Sequence, residues 1–184
     1  MTKKIMLQMI ICLSLILGCS KDESGPRELS FNDPNSKLVS ASAKGSGATQ
    51  VDGVGFFDAI AECDLPQGAA YAVKMTGDIE GCLIIFIDEY ECSPSGTYRE
   101  VGRELIVGTY NGQEGSFWTT YKFEAKYEGC SPDGSYLGAE ILGRCQHPIT
   151  EGSGTGVFAG VTGRLDMKDD IAAANYPYRG HFKF

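Results

Sequence analysis

The chain predicts an all-β protein: a single small antiparallel up-and-down β-barrel of about eight strands, set behind a leader and a tether. Three observations predict it. No segment sustains helical periodicity, whereas stretches with a period of two recur. Explicit turn signals separate those stretches. The clearest of them also carry one apolar and one polar side, the pattern of a strand with one face buried.

The first residues precede that pattern. Lys3 and Lys4 lead into an apolar run, Ile5 to Leu17, too short to span a bilayer as a mature helix. The run ends in LILGC, with Gly18 before Cys19. This order resembles a bacterial lipoprotein signal peptide. The resemblance implies cleavage after Gly18 and lipidation of Cys19, so that the lipid makes the membrane a partner. SKDESGPRELSFNDPNS then reads as a flexible tether. Its opening, Ser20 to Glu23, resembles the short charged signals of Bacteroidetes-type lipoproteins bound for the cell surface; a solvated linker is the alternative. The expected organisation is a leader over 1–18, a tether over 19–36 and a barrel over 37–184, anchored to the outer membrane.

Removing residues 1–18 removes two of the 16 basic side chains and none of the 24 acidic ones, leaving a formal charge of −10. That disfavours nucleic acid and anionic lipid surfaces as partners. Five cysteines come after Cys19, namely Cys63, Cys82, Cys92, Cys130 and Cys145. An odd number leaves a free thiol unless one pairs between chains. No C-x-x-C occurs, so neither a zinc ribbon nor a thioredoxin-like motif is supported. No metal and no cofactor is expected.

The strands can be read in chain order. Tyr71, Val73 and Met75 alternate with Ala72, Lys74 and Thr76. CLIIFI, Cys82 to Ile87, reads as a strand covered on both faces. In FWTTYKFEAKY, Phe117, Thr119, Tyr121, Phe123, Ala125 and Tyr127 face one way and the charged residues, with Trp118, the other. Leu137, Ala139, Ile141 and Cys145 share a face, and Tyr178, Phe182 and Phe184 close the chain. Lys122, Glu124 and Lys126 on an outer face argue against a membrane barrel. SPSG at 93–96, NG at 111–112 and SPDG at 131–134 supply the turns. CSPSGTY at 92–98 echoes CSPDGSY at 130–136, and each leads into a strand, with ELIVG from Glu104 and EILG from Glu140. Two equivalent hairpin loops would lie at one end of a meander, where Cys92 and Cys130 either pair as a disulfide or stay apart.

Gly152, Gly154, Gly156, Gly160 and Gly163 fall within twelve residues. Neither a P-loop string nor G-x-G-x-x-G is present. The adjoining residues alternate, with Val161, Gly163, Leu165 and Met167 set against Thr162, Arg164, Asp166 and Lys168. A strand offers no helix N-terminus to a phosphate, whereas glycines within strands mark bulges and bends. GSGTGVFAGVTGRLDM resembles the glycine-rich strand pair of the allene oxide cyclase-like barrels, a calycin-like group that includes plant dirigent proteins. Gly154, Gly156, Phe158, Gly160 and Gly163 fit its approximate G-x-G-x-F-x-G-x-x-G, with an extra Thr-Gly pair near the start. The resemblance implies a calycin-like barrel. The group contains an isomerase of an unsaturated epoxy fatty acid and proteins that hold phenolic radicals. The matching positions are turn glycines and a packing phenylalanine, so no catalytic residue is carried over.

With the face of Phe117 inward, Tyr71, Tyr121, Phe123, Tyr127 and Tyr178 line the lumen, as do Leu137 and Ile141. A small barrel with such a lining either fills itself or holds one small apolar or aromatic ligand. His147 shares the parity of Ile141 and Cys145, at a barrel mouth. It is the one candidate acid–base group, or else a rim histidine with a structural hydrogen bond. His181 falls on the outer parity. Asp88, Glu89, Glu91, Asp169 and Asp170 adjoin turns and read as solvated loop charge. Three functions stand as expectations: a ligand-binding barrel, an isomerase using His147, or a filled barrel working through its outer surface.

Overall fold

The structure, a computed structural model, describes residues 47–184; Cys19, the leader, the tether and the expected domain start at Lys37 lie outside the described residues. The strands are β1 (Thr49–Phe57), β2 (Tyr71–Gly77), β3 (Ile79–Cys92), β4 (Thr97–Tyr110), β5 (Gln113–Cys130), β6 (Tyr136–Pro148), β7 (Thr155–Gly156), β8 (Thr162–Lys168) and β9 (Tyr176–Lys183). From β1 to β6 each pairs antiparallel with the next, and the meander continues through β8 to β9. β9 returns to β1, with Val51 opposite Gly180, and closes the cylinder. The result is the expected all-β, up-and-down barrel of eight strands, with β7 as a two-residue addition beside the start of β5. β3 to β6 run for 13 to 18 residues, longer than the short strands expected.

Local chemistry explains the turns and faces. Asn111 and Gly112 both take positive φ, 52° and 73°, the geometry of the tight turn between β4 and β5. On β5, Phe117, Thr119, Tyr121, Ala125 and Tyr127 are buried, as the alternation predicts. On β3, Leu83 and Ile85 face the lumen, while Ile84 and Phe86 are buried on the outer face. Trp118 packs on Phe86 at 5.5 Å, and the Arg103 guanidinium lies 5.4 Å over the same ring. The segment between β1 and β2 is tied to the outside of β3 by a Cys63–Cys82 disulfide. A second disulfide joins Cys92 to Cys130 and links the β3–β4 and β5–β6 loops. Each cross-link is worth about 2–4 kcal/mol through the unfolded state. Cys145 keeps a free, buried thiol.

β6 departs from simple alternation. Lys126 pairs with Leu142, but Tyr127 pairs with Glu140, so Ile141 is an unpaired bulge residue. The extra residue reverses the faces next to it, so Glu140 turns toward the lumen and Ile141, expected inside, is 56% exposed. Leu137, also expected inside, lies past a second irregularity opposite Tyr127–Gly129, near the end of the strand, and is 51% exposed. Phe184, also expected inside, lies past the end of β9 and is 48% exposed.

The glycine stretch forms a plug. After β7 the chain turns tightly, with the Phe158 N–H donating to the Thr155 carbonyl and Ala159 N–H to that of Gly156, before β8 begins. Gly156, Gly160 and Gly163 hold φ of 56°, 80° and 135°, where a side chain is strained. A Cβ on Gly154 would collide with the Phe158 carbonyl. The turn lowers Phe158, fully buried, into one end of the barrel against Phe117 at 4.8 Å and Phe182 at 5.9 Å.

Candidate functional site

The lumen is filled at the Phe158 end and hollow at the other, between the two outcomes the sequence allows. A cavity of about 490 Å³ occupies the hollow half, within the size range of small-molecule sites. Tyr71, Tyr121, Phe123, Tyr127 and His147, all expected in the lumen, line it. Tyr178 does not. It is buried in the filled half, where its hydroxyl donates to the Thr76 carbonyl at 3.2 Å and accepts the Ile79 N–H at 3.1 Å. Desolvation there pushes its phenol up to about 12. A lumen position was legible for Tyr178, but not its depth.

The chemistry of the cavity comes from four carboxyl groups that alternation did not single out. On β4 the sequence runs Tyr98-Arg99-Glu100-Val101-Gly102-Arg103-Glu104. Strand geometry sends both arginines out, to ion pairs with Glu91, Glu124 and Asp88, and both glutamates in. Glu100 is 6% exposed and Glu104 2%. Glu100 accepts the Tyr98 hydroxyl at 2.6 Å on one oxygen and the Tyr121 hydroxyl at 2.7 Å on the other. Gly102 makes room for this, because a Cβ there would stand 2.7 Å from the Tyr121 ring. The phenols of Tyr98 and Tyr121 are pushed well up, first by burial and then by Glu100, so both stay as donors.

Glu104 accepts the Thr119 hydroxyl at 2.7 Å and meets His147 Nδ1 at 2.6 Å, all on its Oε2. His147 is 2% exposed, so it lies deep in the barrel rather than at the mouth expected for it. Its Nδ1 is committed to Glu104, and its Nε2 has no hydrogen-bond partner. A carboxylate holding one imidazole nitrogen orients the ring and defines what the other can do. Nearby, the Cys145 thiol is pushed up, mostly by burial, and stays protonated.

The second carboxyl pair sits nearer the mouth. Glu140, inward because of the bulge, shares a hydrogen bond with Asp169 at the end of β8. Asp169 is thus a lumen group and not the solvated loop charge expected of it. Gly143 allows the pair to form, since a Cβ there would run into both carboxyl groups. Burial, then the hydrogen bond and charge of Asp169, pushes Glu140 up to about 7; burial raises Asp169 as well. Tyr127, Tyr136 and Tyr176 surround the pair. A carboxyl raised in the fold contributes stability that is complete below about 4.5 and lost as pH rises through about 7. The protein is therefore expected to melt lower at pH 8 than at pH 5. Glu140→Gln should narrow that gap by roughly 3 °C, read by thermal melts at both pH values. An unchanged gap would show that the fold does not raise Glu140.

The mouth is aromatic. Tyr127 and Tyr136 stack at 4.1 Å, and Tyr98 meets their rings edge-on at 5.9 and 5.5 Å. Among the described residues, no group of three or more His, Cys, Asp or Glu side chains is placed to hold a metal ion. His181 is only partly buried and belongs to no such group. No protein-family model, curated protein or solved structure matches this chain.

Proposed function

We propose that this chain is an exported, lipid-anchored barrel protein that binds a small molecule with an aromatic or apolar body in its open half. The observation that carries the reading is the cavity, lined by tyrosines and buried polar groups, with His147 Nε2 left without a protein partner. Buried polar atoms are nearly always paired, so an orphan nitrogen in a cavity wall favours a ligand. The export half of the reading rests on Lys3, Lys4, the apolar run and Gly18-Cys19. Native mass spectrometry of the protein purified gently from its host tests the binding half. A stoichiometric adduct lost on denaturation is expected; a clean apo mass after incubation with host extract would sink the reading.

The Glu104–His147 pair favours a second reading, an acid–base enzyme of the isomerase type. A carboxylate-oriented imidazole can take or give a proton at Nε2. The resemblance of the glycine segment to allene oxide cyclase-like barrels lends it support at the level of fold alone. On this reading His147→Ala abolishes turnover of the bound compound while the barrel stays folded.

A further inference from the structure

The charge of the cavity narrows the class of ligand, an inference that rests on the ligand-binding reading. Glu100, Glu104, Glu140 and Asp169 all line the hollow half, and neither lysine nor arginine does. The basic residues of β4 and their neighbours are turned to the outer surface. Arg99, Arg103 and Arg144 have side chains 56%, 59% and 73% exposed, and each is already paired with an outer acid. Every oxygen of Glu100 is used as an acceptor, and Glu104 accepts from Thr119. The lining thus sets four carboxyl groups against a single imidazole. Such an interior repels fatty acids, phenolates and phosphates and attracts cations.

Two further observations define the cation. The faces and edges of Tyr98, Tyr127 and Tyr136 gather at the mouth beside the carboxyl groups, the pairing that favours organic ammonium over hydrated metal ions. His147, which lines the cavity, is nine-tenths buried and more; its Nδ1 is held by Glu104 and its Nε2 has no protein partner. An ammonium N–H is a donor that this nitrogen can accept. We propose that the cavity takes a small organic ammonium ion, an amine protonated at neutral pH and carried on an aromatic or apolar body.

Three probes of matched chain length test the proposal on the full-length protein by titration calorimetry: 3-phenylpropylammonium, uncharged 3-phenylpropanol and anionic 3-phenylpropanoate. The ammonium is expected to bind at least about tenfold tighter than either of the others, since a buried charge-assisted contact exceeds the energy of one decade. Glu100→Gln should cut the ratio of ammonium to alcohol affinity by at least about tenfold. Should the variant fail to fold, the ranking on the unaltered protein still decides. An alcohol or anion bound as tightly as the ammonium would overturn the cation assignment and leave the barrel a ligand-binder. Binding of none of the three overturns the assignment too; if the gently purified protein also lacks an adduct, the ligand-binding reading falls with it.

Discussion

Phe158→Ala should lower the stability of the barrel by about 3–5 kcal/mol, the range for truncating a fully buried phenylalanine. Phe158 has no exposure and touches the rings of Phe117, Phe182 and Tyr110, each held by a different strand. Its turn is fixed by glycines that cannot readily shift to refill the space. The neighbouring strands are fixed by pairing on both sides, so collapse into the hole is limited. Phe158→Leu keeps most of the volume and should cost about 1 kcal/mol. Urea unfolding of the two variants measures both. A loss below about 1 kcal/mol for alanine would show that the glycine stretch is ornament to the barrel rather than its stopper.

The Glu104–His147 pair should behave differently. Glu104→Leu strands the His147 Nδ1 and the Thr119 hydroxyl; His147→Leu leaves Glu104, 2% exposed, with Thr119 as its partner. Each single change should cost about 3 kcal/mol, because it leaves a buried polar group uncompensated. The double variant removes both and fills the space with apolar volume. With only the Thr119 hydroxyl left without its partner, it should cost no more than either single change, about 1–3 kcal/mol, far below their sum. Losses that simply add would show the two groups to be independent. Full recovery would mean that this pair is retained at no benefit to the fold, as a working part of the cavity.

The fold was legible where one face of a strand is wholly apolar. β5 shows this best, since Phe117 to Tyr127 alternate without a break in meaning. β4 hid its inner face because its polarity is inverted: Glu100 and Glu104 point in, while Val101 and Val107 are 37% and 44% exposed. The one sign was the Arg-Glu doublet repeated at a spacing of four, which on a strand separates the two charges onto opposite faces. β6 misled at Ile141, because a bulge is a register event between two strands and leaves no mark in either alone. The same bulge brought Glu140 inside. Asp169 looked like loop charge because β8 ends one residue before it, yet it continues the inward face of Leu165 and Met167. The echo of CSPSGTY in CSPDGSY was visible, and it led to strands whose glutamates, Glu104 and Glu140, both reach the lumen.

The seam between β1 and β9 governs how the molecule comes into being. Every other barrel contact joins strands close in sequence, and hairpins of that kind assemble in microseconds. The seam joins opposite ends of the described chain, Val51 with Gly180 and Gly53 with Tyr178. It has to wait for the sheet between to curl, which places the slow step of folding there. Until it shuts, both strands carry a row of unpaired backbone groups that a second copy can satisfy equally well. Refolding yield should then fall as protein concentration rises. Export across a membrane before folding would deliver the chain to its seam one copy at a time.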